Sequence, residues 1–160
     1  MPRGARILLT NVLYHIINRG NQKERIFLEE TDYREYLRIL KHYKTKFRFK
    51  IFGYCLMPNH VHIMIELKNP HDLAKIMQGL TQTYTKLFNK KYGKVGHLWQ
   101  GRFKSMIIQK DNYLLNCISY VEANPVRAGI VNVPSDYRWS SYKDRVFGNK
   151  AALLDLPDST

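Results

Sequence analysis

Residues 60–67 alternate strictly between two kinds of side chain, and this stretch constrains the fold more than any other part of the sequence. Successive side chains of a β-strand point to opposite faces of a sheet, so the pattern predicts a strand with one apolar face. The apolar face holds Val61, Ile63, Ile65 and Leu67. The other face holds His60, His62, Met64 and Glu66. Helices would cover the apolar face, and the two histidines would then point out of the opposite face.

The patterns elsewhere place this strand in a longer order of elements. Runs rich in β-branched and aromatic residues predict strands, and apolar residues at helical spacing predict helices. The predicted strands cover residues 12–17, 49–57, 60–67 and 104–109. The predicted helices are one that Thr31 or Asp32 caps, an amphipathic one over 73–88, and one over 112–124 that Pro125 stops. The simplest closure of this order is an α+β fold, a ferredoxin-like split βαβ antiparallel sheet with an appended C-terminal helix.

The length and the cysteine content limit the class of protein. A chain of 160 residues has the size of one domain, and we expect that domain over residues 1–148 and a tail over 149–160. No apolar run approaches the roughly 18 residues that a membrane helix needs, and the first residues do not resemble a signal peptide. Two cysteines are too few for a disulfide scaffold or a zinc knuckle. We therefore expect a cytoplasmic protein.

The charge of the chain indicates a polyanionic partner. Lys and Arg total 26 against 13 Asp and Glu, a net charge of +13. No acidic residue lies between Asp72 and Asp111, where eight cations are interleaved with five aromatic residues. Cations for phosphates beside rings for unstacked bases are typical of a single-stranded nucleic-acid site. The alternative is a solvated helix face with core aromatics, which is the better interpretation for any one of these residues taken alone.

Two separate segments supply residues that suit phosphate chemistry. His60 and His62 lie on one side of a predicted strand, close enough to bind one cation. Taken alone, two histidines at this spacing are more often structural or surface residues than metal ligands. Tyr120 and Asn124 lie one turn apart on a polar stripe of the last predicted helix. If that stripe packs over the open sheet face, a phenol and an amide oxygen reach the histidines. Glu66 is an alternative third ligand.

A tyrosine beside a metal ion suggests a covalent reaction. A phenol is a weak nucleophile at neutral pH, and a divalent cation that polarises a phosphate oxygen makes attack on phosphorus easier. The product would be a phosphotyrosine and a free hydroxyl. Tyr113, two turns earlier on the same stripe, is the rival nucleophile.

Three motifs resemble one family. The stretch 56–62 (LMPNHVH) resembles the metal-binding motif of the HUH superfamily of single-strand transposases with one catalytic tyrosine. The stretches 96–105 (GHLWQGRFKS) and 120–129 (YVEANPVRAG) resemble its REP-associated tyrosine transposases, and the likeness spans about residues 10–145. The resemblance implies that His60, His62 and Asn124 bind Mg²⁺ or Mn²⁺ and that Tyr120 attacks a DNA phosphate. The implied partner is single-stranded DNA with hairpin or palindromic structure, and the implied location is the cytoplasm, in association with the nucleoid. The implied assembly is a monomer or a helix-exchanged homodimer.

The remaining candidate residues concern DNA binding. Trp99 and Phe103 are predicted to stack on bases, or else to fill the core beneath their loop. Asn18 and Arg19 suit base edges and equally suit a turn. The cations predicted to contact DNA are Lys90, Lys91, Arg102, Lys104, Arg127 and Arg138. The main rival hypothesis is a non-catalytic single-stranded DNA or RNA-binding ferredoxin-like module, although an RNA-binding sheet of that kind would carry exposed aromatics where the strand 60–67 has none.

Overall fold

Four strands, five α-helices and two short 3-10 helices form the regular structure of the residues that the computed structural model describes, which are 11–109, 112–148 and 153–156. The strands are β1 (Val12–Arg19), β2 (Lys50–Met57), β3 (His60–Leu67) and β4 (Lys104–Ile108). The helices are α1 (Glu30–Phe47), α2 (Asp72–Tyr92), α3 (Asn112–Glu122), α4 (Asn124–Arg127) and α5 (Tyr142–Phe147). None of these helices is both long enough and apolar enough to cross a membrane.

The strands form one antiparallel sheet in the order β2-β3-β1-β4. This order, together with the sequence strand, helix, strand, strand, helix, strand, is the ferredoxin-like arrangement. The predicted α+β fold class is therefore confirmed. In the central pair, Ile17 of β1 lies opposite His62 of β3, and Arg19 lies opposite His60.

Helices cover both faces of the sheet. The side chains of Val61, Ile63 and Ile65 belong to the main core that α1 and α2 complete, as the alternation predicts. The opposite face, which we expected to be open, packs against the apolar stripe of α3 and forms a second core. Met64 is fully buried on that face and His62 is 4% exposed. The histidine face is thus an interior, because α3 has its own apolar stripe to bury.

The beginning of α1 differs from the prediction. The helix starts at Glu30, and Asp32 serves inside the first turn instead of capping it. The Asp32 carboxylate accepts hydrogen bonds from the backbone N–H groups of Leu28 and Glu29, at 2.9 and 3.0 Å. It also accepts hydrogen bonds from Lys91 (2.8 Å) and Tyr92 (2.5 Å) at the end of α2. One buried carboxylate therefore satisfies the start of α1 and joins it to α2.

The chain breaks where a single helix over 112–124 was predicted. α3 ends at Glu122, and Pro125 lies in the first turn of the separate helix α4. A proline fits there because the first turn of a helix needs no N–H donor from it. Glu122 is 1% exposed and binds Arg145 of α5 as well as the Ser141 hydroxyl (2.5 Å). The end of α3 is thereby fixed to the C-terminal part of the chain.

The C-terminal segment runs along β2. The Leu56 N–H donates to the Trp139 carbonyl at 2.8 Å, and the Ser141 N–H donates to the Tyr54 carbonyl at 3.0 Å. Residues 153–156, which we assigned to a tail, also pack on the domain. Leu153 is 8% exposed, and Asp155 exchanges hydrogen bonds with Ile51 at 2.7 and 3.0 Å.

Candidate active site

The first part of the site is His60, at the start of β3. Its Nδ1 lies 2.7 Å from Oδ1 of Asn59 in the β2–β3 turn. An amide oxygen only accepts hydrogen bonds, so Nδ1 of His60 carries the proton in this contact. In a neutral imidazole the Nε2 atom then keeps its lone pair.

The second part is His62, whose ring centroid lies 5.0 Å from that of His60. Its Nδ1 lies 3.0 Å from Nε2 of His15 on the neighbouring strand β1, and the two rings are stacked. Its Nε2 is buried and has no hydrogen-bond partner among the residues that the structure describes. A buried polar atom without a partner is uncommon and requires an explanation.

Burial keeps the two imidazoles neutral. It lowers the pKa of His60 to about 4, with a smaller contribution from the charge of Arg19. It lowers the pKa of His62 to about 3, and the nearby His60, His15, Arg19 and Arg127 lower it further. Neutral imidazole nitrogens are the form that binds a metal ion.

The chemistry of these donors fits a divalent cation. Each histidine has its Nδ1 atom in a hydrogen bond and its Nε2 atom left over, which is the usual arrangement of metal-binding histidines. Within the described ranges, no three His, Cys, Asp or Glu side chains form a group that could hold a metal ion. Glu66 therefore does not complete the histidine pair, and in the described part of the chain a third protein ligand would be a residue other than His, Cys, Asp or Glu.

Tyr120 and Asn124 are connected through Arg127. The guanidinium carbon lies 3.8 Å from the centroid of the Tyr120 ring. One guanidinium nitrogen donates to the Tyr120 carbonyl and to Oδ1 of Asn124, both at 2.8 Å. The Asn124 amide nitrogen donates to the Val121 carbonyl at 3.0 Å, which fixes the orientation of the amide. The positive charge of Arg127 also contributes to the lowering of the pKa of His62.

The polar stripe of α3 faces outward instead of packing over the sheet. Tyr113 and Tyr120 are 65% and 56% exposed, whereas Ile118 is 1% exposed. The buried stripe brings Cys117 close to the histidines, with its Sγ 3.9 Å from Nδ1 of His15. α3 thus lies directly over the histidine cluster and presents the Tyr120 ring at its surface.

The loop with the second motif is attached to the histidine end of the sheet. The Gln100 N–H donates to the Arg19 carbonyl at 2.8 Å, and the Asn21 N–H donates to the Leu98 carbonyl at 2.9 Å. Trp99 is half-buried and donates from its indole nitrogen to the Thr85 hydroxyl at 3.0 Å. It packs with Phe103 against the main core and also lines a groove of about 1720 Å³. Packing in the core beneath the loop is thus observed for both rings, and stacking on bases stays a prediction.

Two of the predicted DNA-binding residues belong to the end of β1. Asn18 lines the same groove, is 2% exposed, and has an Oδ1 atom without a partner in the described part of the chain. Arg19 points to the other face and is exposed. Neighbouring strand positions thus face the groove and the histidines, respectively.

The predicted cations differ in their surroundings. Lys90, Arg102 and Lys104 are exposed. Lys91 is paired with Asp32 at 2.8 Å and Glu29 at 3.0 Å, so its ammonium serves the α1–α2 contact. Arg138 lies 3.2 Å from Glu30 and its guanidinium lies over the ring of Trp139.

Sequence reasoning did not assign a role to His15, Asn59 or Cys117. Of these, His15 had a signal. It is a polar residue inside the β-branched run 12–17. Strand alternation places its side chain on the same face as that of Leu13, and the side chain of Ile16 lies on the other face. The contact with His62 depends on the pairing of β1 with β3, and the pattern of one strand does not give that register.

Comparisons with known proteins agree with one another. The sequence profile of the family described as "Transposase IS200 like" matches residues 8–124. A protein of Haemophilus influenzae with the provisional name REP-associated tyrosine transposase is 32% identical over 124 residues, which cover 70% of this chain and 70% of the relative.

Two solved structures are similar in fold. One is a REP-associated tyrosine transposase bound to a REP hairpin, with a TM-score of 0.72 at 20% identity, covering 100% of this chain and 92% of that chain. The other is a protein of Deinococcus radiodurans provisionally described as a transposase, with a TM-score of 0.52 at 15% identity, covering 75% and 95%.

Proposed function

The chain belongs to the IS200-like transposase family, among its REP-associated tyrosine transposases, and on that premise we propose that it is a metal-dependent single-stranded DNA endonuclease and strand transferase. We propose Tyr120 as its nucleophile and hairpin-forming palindromic DNA as its substrate. The observation that carries the proposal is the buried, unpartnered Nε2 of His62 beneath the helix that presents Tyr120.

The reaction is a transesterification at phosphorus. The Tyr120 hydroxyl oxygen bonds to a DNA phosphorus atom, and the bond from that phosphorus to the 3′ oxygen breaks. The phenolic proton is given up and the leaving 3′ oxygen gains one, so the products are a 5′-phosphotyrosine and a free 3′ hydroxyl. Attack of a 3′ hydroxyl on the phosphotyrosine reverses these changes and rejoins DNA. The exposure of the Tyr120 ring leaves it open to a DNA strand.

Arg127 has two functions in this proposal. Its stacking on Tyr120 and its hydrogen bond to the Tyr120 carbonyl hold the nucleophile at the end of α3. The same guanidinium is a cation beside the position that the attacked phosphate must occupy, where it can bind a phosphate oxygen.

His60 and His62 would hold the metal ion through their Nε2 atoms, and Asn124 would complete the protein ligands. Oδ1 of Asn124 accepts one hydrogen bond from Arg127 and has a second lone pair, which could bind a cation. When bound, Mg²⁺ or Mn²⁺ would polarise a non-bridging phosphate oxygen and stabilise the developing charge.

For the DNA we propose a path along the loop 97–104. Lys90, Arg102 and Lys104 supply exposed positive charge for the backbone. Trp99 and Phe103 border the groove and present rings to unpaired bases, with Asn18 at its buried end. The hairpin bound by the relative of similar fold supports this class of substrate.

We propose a monomer, rather than a helix-exchanged homodimer, as the active form. The helix that carries Tyr120 lies on the sheet of its own chain, where Cys117 contacts His15. In the proposed monomer, the nucleophile and the histidines belong to the same chain. We propose a cytoplasmic location for the protein, where its DNA substrate is present.

The test is a denaturing gel of the protein incubated with a labelled single-stranded hairpin in Mn²⁺, in Mg²⁺ and in EDTA. We expect a metal-dependent covalent protein–DNA band that Tyr120→Phe abolishes. Tyr113→Phe is the matched control, because Tyr113 is exposed on the same helix. His60→Ala should abolish the band and leave hairpin binding in EDTA intact.

The other outcomes identify other assignments. An undiminished band in Tyr120→Phe together with its loss in Tyr113→Phe would make Tyr113 the nucleophile. Hairpin binding without a covalent band in either metal would favour a non-catalytic single-strand-binding module.

A further inference from the structure

We infer that His15 is a positioning residue that accepts a hydrogen bond from Nδ1 of His62 and so leaves the Nε2 lone pair of His62 free for a metal ion. The inference rests on the proposed function, since it assigns a role within the same site. It concerns a residue on a different strand from the two histidines of the motif, and it does not involve Tyr120.

The register of the sheet brings His15 to this position. β1 and β3 are antiparallel, with His15 opposite Met64 and Ile17 opposite His62. His15 and His62 are therefore diagonal neighbours on the same face, within reach of long side chains. Their rings are stacked with centroids 5.2 Å apart, and Nε2 of His15 lies 3.0 Å from Nδ1 of His62.

The site does not let the two rings turn to other partners. His15 and His62 are each 4% exposed, so water does not compete for their nitrogens. The other nitrogen of His15, Nδ1, faces Sγ of Cys117 on α3 at 3.9 Å. The contacts form a line from Cys117 through His15 to His62, and the line ends at the unpartnered Nε2.

The direction of the hydrogen bond decides whether His62 can bind a metal ion. If Nδ1 of His62 donates, its Nε2 carries a lone pair, and Nδ1 of His15 carries the proton that faces the sulfur. If Nε2 of His15 donates, Nε2 of His62 carries a hydrogen that is buried without an acceptor. Buried N–H groups without acceptors are rarer than buried acceptors without donors, which favours the first direction.

The same arrangement exists at His60, where the acceptor is unambiguous. Oδ1 of Asn59 lies 2.7 Å from Nδ1 of His60 and leaves its Nε2 atom for a ligand. His15 would thus be to His62 what Asn59 is to His60. Partners of this kind fix the tautomer and the orientation of a metal-binding histidine, and their loss typically lowers metal affinity about 10- to 100-fold.

The experiment measures Mn²⁺ binding to the full chain by calorimetry without DNA. His15→Phe keeps a flat ring and removes the acceptor, whereas His15→Gln keeps an acceptor of similar reach. We expect His15→Phe to raise the Mn²⁺ dissociation constant about 10- to 100-fold and His15→Gln to restore most of the affinity. Hairpin binding in EDTA should be similar in both variants. His15→Phe should melt at a lower temperature in EDTA than His15→Gln, because it leaves the Nδ1–H group of His62 buried without an acceptor.

A second measurement is independent of the variants and of the metal. Nitrogen-15 NMR of the metal-free wild-type protein reports which nitrogen of His62 carries the proton, and we expect Nδ1. A proton on Nε2, or Mn²⁺ affinity in His15→Phe equal to that of the wild type, would overturn the inference. Failure of the proposed metal site gives a different result, because the wild type itself would then bind no Mn²⁺, like His60→Ala. The tautomer of His62 would still test the role of His15 in that case.

Discussion

Arg145→Met is expected to destabilise the protein by about 3 kcal/mol, through a charge on a different residue. The affected group is Glu122 at the end of α3, which is 1% exposed. Its Oε1 accepts hydrogen bonds from two guanidinium nitrogens of Arg145, one of them at 3.0 Å. Its Oε2 accepts a hydrogen bond from Ser141 at 2.5 Å. Removing Arg145 leaves a buried carboxylate with the serine as its remaining side-chain partner.

The magnitude follows from the burial of the two partners. Breaking a buried ion pair by removing one partner typically costs about 3–5 kcal/mol, since the remaining charge is uncompensated. The side chain of Arg145 is 24% exposed, so water reaches part of the space it vacates and the lower end of this range applies. A small domain is stable by about 5–15 kcal/mol, and the variant should therefore still fold at 25 °C.

Urea unfolding at pH 7 in EDTA, followed by circular dichroism, measures the free energy of unfolding of four proteins. These are the wild type, Arg145→Met, Glu122→Gln and the double variant. Because Glu122→Gln removes the charge that Arg145→Met leaves unpaired, the double variant should be more stable than Arg145→Met alone. A loss under about 1 kcal/mol in Arg145→Met, or a double variant no more stable than it, would refute the reasoning.

Two more predictions concern the α1–α2 contact and the DNA path. Folding lowers the pKa of Asp32 from its ordinary value of 3.8, because hydrogen bonds to the carboxylate, first from Lys91, outweigh the opposing effect of burial. Asp32→Asn should therefore lower the free energy of unfolding by about 2 kcal/mol at pH 7. In urea titrations at several pH values, the difference in this free energy between wild type and variant should shrink as the pH falls below about 4, through the folded-state pKa of Asp32. A difference that stays constant down to pH 2 would contradict this. Replacing Arg102 and Lys104 together by Ala should reduce the slope of log affinity against log salt for a single-stranded hairpin by about 1.4, at about 0.7 for each phosphate contact. Lys41→Ala on α1 is the control and should leave the slope unchanged. Equal slopes in the two variants would place the DNA elsewhere.

The sequence predicts the strands and the main helices because their signals are local. Alternation over 60–67 and helical spacing over 73–88 each come from one continuous segment, and they fix which residues face the main core. The family motifs point to His60, His62, Tyr120 and Asn124 for the same reason, since each motif is a short run.

What the sequence does not predict depends on contacts between distant segments. The pairing of His15 with His62 spans 47 positions and needs the β1–β3 register. The burial of Glu122 needs Arg145 to arrive from α5. One helix was predicted to continue through Ala123, where the structure has a break. A proline is compatible with the first turn of a new helix, such as α4, and equally with the position after a helix ends, so Pro125 does not distinguish the two arrangements.

The contacts along β2 have a consequence for the order in which the protein can be completed during synthesis. β2 is an edge strand, and its outer backbone groups bond to Trp139, Ser141 and Asp155, which are synthesised well after the four strands. Until then the sheet can form its central pairs while this edge stays open, and an open edge is a template for pairing with other chains. The contacts of Trp139, Ser141 and Asp155 thus protect the β2 edge against association with other chains. A nascent chain that stalls before residue 139 has the strands of the fold without that protection.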